Sequence, residues 1–495
     1  MSDATAEVVV VGAGITGLTT AYLLGQAGKS AIVLDDGPIA SGETERTTAH
    51  LSIALDYRYF ELESLHGAAG ARCAAESHTA AITEIERIVQ AEKIDCEFER
   101  VDGYLFSAPG ESSDMLDREL AAVQRAGLTD AAIVSLSGLG TLETGLALRF
   151  PRQAQFHPLR YLAALAKAIV RDGGRIYSQT HVTEIAGGES ARVKVQAGHV
   201  VTAGAVVVAT NSPIHELLAI HTKQAAYRTY VIVAVVPRGA VARALFWDSG
   251  DPYHYVRVQP GQPGSEMELP PDLLLVGGED HKTGQADDAE ARYTRLERWA
   301  RERFPLGTVK FRWSGQVMES MDGLAFIGHH PADQKNIYVA TGDSGSGLTH
   351  GTIAGRLLTD LISGRENPWT ELYNPARITL GAAMEFAKET VNTVRQYGDW
   401  LTPGEGKTEN QVFNDSGAII GHGAEQVAAY RDELGHLHQC SAICPHLGGI
   451  VRWNHSEKTW DCPCHGSRFD RFGKVVNGPA NSDLKPVAQP VAAGV

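Results

Sequence analysis

Val8-Val9-Val10-Val11-Gly12-Ala13-Gly14-Ile15-Thr16-Gly17 decides how the first part of this chain folds. Four apolar residues without alternation read as a strand buried on both faces. A G-x-G-x-x-G turn follows at once, and Leu18 to Ala27 keeps helical register. A second apolar run, Ala31-Ile32-Val33-Leu34, ends at Asp35. The unit is βαβ, with a glycine turn after strand one and an acid at the end of strand two. Gly12, Gly14 and Gly17 permit the tight turn and the close approach of a pyrophosphate to the helix N-terminus, while the acid takes ribose hydroxyls. Asp36 adjoins Asp35 and is open to the same role; Asp35 is the preferred candidate. Dinucleotide binding follows.

Later segments favour FAD over NAD. Ala205-Val206-Val207-Val208-Ala209-Thr210-Asn211 resembles the second flavoprotein strand, placing Ala209 and Thr210 near the dinucleotide. Ile337-Tyr338-Val339-Ala340-Thr341-Gly342 reads as a further strand, running into Asp343-Ser344-Gly345-Ser346-Gly347-Leu348-Thr349. Backbone N–H groups at Gly342, Gly345, Gly347, Leu348 and Thr349 are candidates to meet flavin carbonyls. An ordinary α/β turn is the alternative for this last segment.

At the other end stand Cys444-Pro445-His446-Leu447-Gly448 and Cys462-Pro463-Cys464-His465-Gly466-Ser467. The pattern is C-x-H, fifteen residues, then C-x-x-H. Cys444, His446, Cys462 and His465 resemble the ligand set of a Rieske [2Fe-2S] domain, two thiolates on one iron and two imidazoles on the other. Neutral imidazole in place of thiolate raises the potential, into roughly −150 to +300 mV. Zinc is the rival, but structural zinc sites usually pair Cys with Cys and His with His. The resemblance puts a cysteine partner of Cys464 where Gly449 stands, so Cys464 is free or paired elsewhere, for instance with Cys440. It also puts a sulfide-bonding serine at Ser467, and Phe469 where many relatives have a sulfur-bonding tyrosine. Fewer bonds to sulfur imply a middling potential.

These pieces, in this order, resemble the D-amino-acid oxidase/sarcosine oxidase-like FAD oxidoreductases over about residues 5–370, and bacterial fusions of such a flavoprotein to a C-terminal Rieske domain over the whole chain. The fold implied is α/β: a Rossmann-like FAD-binding domain with an antiparallel-sheet substrate domain, then an all-β Rieske domain. The flavoprotein would take residues 1–375, with FAD-binding segments at about 5–56, 150–215 and 320–375 and substrate segments at about 57–149 and 216–319. A helical linker would take 376–407 and the Rieske domain 408–495. Residues 57–100 read as helices, Ala80 to Ile94 most clearly, and Ala382 to Leu401 as one helix stopped by Thr402-Pro403-Gly404. Strands are expected over 225–260 and at Leu273 to Gly278.

The resemblance also carries site residues. Ser41 to His50 resembles the segment that passes over the flavin, including Arg46, Thr47 and Thr48. Arg46 lies where a flavin- or substrate-facing arginine is common. Glu279-Asp280-His281-Lys282-Thr283-Gly284-Gln285 looks like a His-x-x-Gly-Gln stretch whose histidine lines the substrate cavity. His281 is thus the catalytic candidate, a loop histidine the alternative. Tyr253 and Tyr255 alternate on a strand and share a face, lining a cavity or filling a core. Three departures matter. Gly277 stands where relatives carry an oxygen-activating lysine, Thr349 about where a lysine binds substrate carboxylate, and Gly315 near a flavin-tethering cysteine. Non-covalent FAD and a dehydrogenase that does not rely on O2 are implied.

The formal charge of −15 argues against nucleic acid or anionic membrane as partner. No apolar run approaches the roughly 18 residues of a membrane span, and no basic n-region precedes the first strand, so a cytoplasmic location is expected. The expected function is oxidation of a small amine or amino-acid-like substrate by hydride transfer to FAD. Electrons would pass to the cluster and then to an external acceptor. A reductase or monooxygenase component with reversed flow, and a redox sensor, are the alternatives. Substrate, acceptor and oligomeric state stay open.

Overall fold

The computed structural model describes residues 2–487 except 109, 111–113, 141–144, 215–219, 263–269, 333–334, 380, 382–388, 390, 394, 397–399, 401–407 and 422–424. The helix expected over Ala382 to Leu401 falls mostly outside the described residues. The chain forms two units: residues 1–211, 228–280 and 290–383 make one, and 212–227, 281–289 and 384–495 the other.

The larger unit is built on the βαβ start. Strand Ala4–Val11 leads to helix Ile15–Gln26 and strand Ala31–Leu34, and Val8, Val9 and Val10 are fully buried. Ala4–Val11 pairs in parallel with Ala31–Leu34 on one side and Val200–Val208 on the other. Val200–Val208 then pairs in parallel with Ile337–Thr341, so the strands read as flavoprotein segments share one sheet. Helix Gly347–Ile362 lies against the first helix. A Cβ on Gly351 would sit 2.8 Å from Ile15 Cγ2, and one on Gly355 2.6 Å from Thr19 Cγ2. Only glycine lets the two helices approach that far.

The second sheet of this unit carries the substrate-side strands. From Asp272–Lys282 the order runs through His254–Gln259, Ala244–Asp248, Glu99–Phe106 and Leu146–Gln155 to His50–Leu51. These pairs are antiparallel, except that Ala244–Asp248 and Glu99–Phe106 run parallel. The helical stretch Tyr59–Ala91 is two helices that meet at a kink at Gly67, which has φ +72°.

The smaller unit contains two antiparallel sheets. Ser416–Ile420, Val427–Arg431 and Leu437–Ser441 form one; Arg452–Asn454, Thr459–Asp461, Arg468–Asp470 and Val475–Asn477 form the other. Trp460 and Phe469, fully buried, pair across adjacent strands in its core. Segments 212–227 and 281–289, read from sequence as flavoprotein, group with this unit. No helix among the described residues is long and apolar enough to cross a membrane.

Candidate functional sites

The glycine turn is packed too closely against backbone for a side chain at Gly12 or Gly17. Gly12 has φ +107°, and a Cβ there would stand 2.3 Å from Ala209 O. A Cβ on Gly17 would stand 1.8 Å from Gly12 O. Ile15–Gln26 has no acid in its first turn, and the Ile15 N–H donates to Thr44 Oγ1 at 3.2 Å. Asp35 closes the turn: the Ala13 N–H donates to Oδ2 at 2.5 Å and the Gly37 N–H to Oδ1 at 2.8 Å. Burial raises its pKa against those bonds. These residues fit a dinucleotide such as FAD.

The segment expected to pass over the flavin is fixed from both sides. Arg46 Nη1 donates to Ser314 O at 3.1 Å, and Trp313 Nε1 donates to Arg46 O at 2.7 Å. A Cβ on Gly315 would stand 3.4 Å from Arg46 Cβ, an ordinary contact. The Ala49 N–H bonds Thr47 Oγ1 at 3.1 Å, and Arg257 Nε donates to Thr48 O. Thr349 points elsewhere. Its hydroxyl meets His78 Nδ1 at 2.9 Å and Ser346 O at 3.1 Å, within helix packing, so only its backbone is available to a cofactor.

Tyr255 and Tyr253 share a face as expected, with ring centroids 5.7 Å apart. Tyr255 pairs across the sheet with Gly277, and a Cβ there would stand 2.1 Å from its ring. The phenol therefore fills the space a longer residue at 277 would need. The Tyr255 and Thr229 hydroxyls are 3.0 Å apart, and Thr229 also bonds the Asp280 carboxylate. Asp280 is aimed by a break in its strand. Gly278 has φ +140° and Glu279 φ +60°, and Arg292 Nη1 donates to Glu279 O at 2.8 Å and Asp280 O at 2.9 Å.

Around these tyrosines gather carboxyls that no sequence spacing announced. The Tyr253 hydroxyl donates to Asp56 Oδ2 at 3.3 Å. A Cβ on Gly345 would stand 1.9 Å from the same oxygen, and one on Gly347 2.5 Å from Asp343 Oδ2. Asp56 and Tyr253 stand in the wall of a cavity of about 500 Å³, with Phe60, Met115 and Trp247. Asp56 is exposed on this cavity, so solvent screens its charge more than that of the less exposed carboxyls behind it. Burial pushes Asp56 up to about 6 and both Asp280 and Asp343 up to about 7. Burial, then the charges of Asp56, Asp280 and Asp343, hold Glu319 well above its ordinary range. These groups repel one another, and a cation among them would relieve the strain. His281 belongs to the smaller unit and so is not gathered into one unit with Arg46 and Tyr255.

In the smaller unit the two motif loops have the same shape. The Cys444 N–H donates to Gly449 O at 2.8 Å and the Gly448 N–H to Cys444 O at 3.0 Å. The Cys462 N–H donates to Ser467 O at 2.8 Å and the Gly466 N–H to Cys462 O at 3.1 Å. Gly448 and Gly466 take φ +78° and +79°, which is why each loop needs glycine there. Buried Arg468 pins the second loop through Asp461 Oδ1 at 3.0 Å.

The four candidate ligands meet in two pairs. Cys444 and Cys462 are hydrogen-bonded thiols. The rings of His446 and His465 lie 5.1 Å apart. The Cys462 thiol, then burial, holds Cys444 well above its ordinary range, with Ser467 bonding to it in the opposite sense. Burial lowers His446 to about 3 and His465 to about 4, so both imidazoles are neutral, as iron ligands require. His446 Nε2 is buried with no partner among the described residues. Two thiols and two neutral imidazoles, paired by kind, suit a two-iron cluster. No three His, Cys, Asp or Glu among the described residues are placed to hold one metal ion. Cys464 and Cys440 are both free, and a Cβ on Gly449 would stand 2.7 Å from Cys464 Sγ.

Comparison with known proteins gives two family matches. Residues 7–361 match the model of the FAD dependent oxidoreductase family, and residues 408–488 that of the Rieske [2Fe-2S] domain. A putative Rieske 2Fe-2S iron-sulfur protein of Bacillus subtilis (strain 168), YhfW, is 32% identical over 98% of this chain and 94% of its own length. Gamma-glutamylputrescine oxidoreductase of Escherichia coli (strain K12) is 27% identical over 73% of this chain and 84% of its own length. The crystal structure of glycine oxidase from Geobacillus kaustophilus superposes with a TM-score of 0.61 at 18% identity, covering 76% of this chain and 99% of that one.

Proposed function

Because this chain belongs to the FAD dependent oxidoreductase family and carries a Rieske [2Fe-2S] domain, we propose that it dehydrogenates a small amine and relays the electrons to an external acceptor through the cluster. FAD supplies a two-electron acceptor and the cluster a one-electron carrier. The observation that carries the substrate class is the carboxyl wall of Asp56, Asp280, Glu319 and Asp343. Above about pH 7 Asp280 and Asp343 carry charge, and the wall then attracts an ammonium group and repels an amino-acid carboxylate. At position 277 Tyr255 excludes a lysine, and Thr349 is engaged with His78, so neither site supplies a cation for a carboxylate or for oxygen.

In this reading Tyr255, Thr229 and Asp280 hold the amine and take its ammonium proton, while Tyr253 and Asp56 face the entering substrate. Arg46 belongs to the flavin side, and His281 is kept as a substrate-facing candidate. Cys73, Cys96, Cys440 and Cys464, the cysteines outside the ligand set, form no disulfide, which suits a reducing compartment such as the cytoplasm.

The test is steady-state turnover of matched amines and amino acids, with a one-electron dye or O2 as acceptor. Amines should turn over at least tenfold faster than their α-carboxylated counterparts, and the dye should outpace O2. Equal rates for amino acid and amine, or O2 as the better acceptor, would overturn the reading.

A further inference from the structure

The cluster module does not present its histidine ligands bare. His221, 2% exposed, lies edge-on to both of them: its ring centroid is 4.8 Å from that of His446 and 6.2 Å from that of His465. It comes from segment Ser212–Tyr227, two hundred residues before the ligands yet part of the same unit. That segment is held in several places. The Thr283 N–H donates to Ala226 O at 2.9 Å, joining it to His281–Ala289. A Cβ on Gly478, just beyond the last strand, would stand 3.3 Å from Ile214 Cγ2.

His281–Ala289 closes on the second ligand loop. Gln285 Nε2 donates to Pro463 O at 3.0 Å. Gly284, with φ +72°, brings its Cα so near that a Cβ would stand 2.9 Å from both Asp461 O and Pro463 N. The first ligand loop is covered too, by Trp400, whose Nε1 donates to Gly448 O at 2.9 Å. The outcome is visible at the ligands. His465 is 8% exposed, and His446 is half-buried with its Nε2 buried.

We propose that His221 is a positioning residue for the cluster, capping the paired imidazoles of His446 and His465 and closing the histidine side of the site to external electron carriers. A carrier that must touch a ligand imidazole, such as a hydroquinone, is shut out. Electrons entering by that side cross the His221 ring. Residues 220–227 and 281–289 are then a built-in cover supplied by the flavoprotein part of the sequence.

The test is labelling of the oxidised, cluster-loaded protein by diethylpyrocarbonate, mapped by mass spectrometry, with EPR of the reduced cluster alongside. His436, whose side chain is 70% exposed, is the internal standard. In the unaltered protein His446 and His465 should react at least tenfold more slowly than His436. His221→Ala should bring them within about threefold of it and shift the EPR g values, while His221→Phe, which keeps a ring, should retain the protection. Ligands labelled as fast as His436 in the unaltered protein would overturn the proposal. So would His221→Phe exposing the ligands at full iron content. If His221→Ala loses its cluster, the unaltered protein and His221→Phe decide alone. Nitrogen couplings in the EPR report imidazole ligation separately, so an error in the ligands themselves would be recognised.

Discussion

The two sites gather their titratable groups in opposite ways. The proposed cluster site takes four candidate ligands from two loops of one shape, each closed by its own backbone bonds. The proposed substrate site takes Asp56, Tyr253, Tyr255, Asp280, Glu319 and Asp343 from five stretches of chain, and crowds carboxyls whose pKa values are raised. The first arrangement is local. The second is long-range. Local, repeated geometry announces itself in sequence; convergent geometry does not.

That contrast can be broken most sharply at the ligands. Cys444→Ser should remove the Rieske EPR signal altogether while leaving the flavin spectrum intact. Loss of both cofactors together would show that the sites do not form independently. At the substrate site the effect should be graded. Asp280→Asn removes a charged hydrogen-bond partner of Thr229, worth about 1.5–3 kcal/mol, or about 10–100-fold in kcat/KM for an amine. A loss below about threefold would remove Asp280 from the substrate site.

The carboxyls also set a pH dependence. Asp280 and Asp343 have folded pKa values raised to about 7, so they are mostly neutral below that pH and charged above it. Turnover of an amine bearing a second, permanently charged ammonium should therefore rise from pH 5 to 8. The flavin-free protein should do the reverse and lose thermal stability. Stability present below the ordinary carboxylate range is lost as pH rises through the raised values. A flat melting temperature across that window would contradict the like-charge account. The smallest effect is expected from Gly277→Ala. Its methyl would push the tip of the Tyr255 ring, an overpacking of about 1 kcal/mol, costing about fivefold in kcat/KM. An unchanged rate would mean that the tyrosine's place is not critical.

Much of the fold was legible because its signals are short-range. Val8 to Asp35 reads as βαβ, and the strands lie where the apolar runs place them, with their glycine turn against Ala209. The motif loops carry their glycines at the positions that need a left-handed backbone. Illegible were the features made by distant pairing. The parallel pair of Ala244–Asp248 with Glu99–Phe106 joins segments about 140 residues apart, and no periodicity encodes that. Asp280 sat one residue before the histidine that the motif singled out, and only the Gly278–Glu279 break shows where it points. His221 carries no motif at all. Its place beside the ligands depends on segment 212–227 joining the smaller unit. Thr349 matched a motif position, yet helix packing turned its side chain toward His78.

The most direct measurement is an anaerobic titration of the purified protein with an amine substrate, following flavin absorbance and EPR together. Flavin bleaching followed by a Rieske-type signal is predicted, with one cluster reduced before flavin reduction is complete. Full flavin bleaching with the cluster still oxidised would contradict the relay.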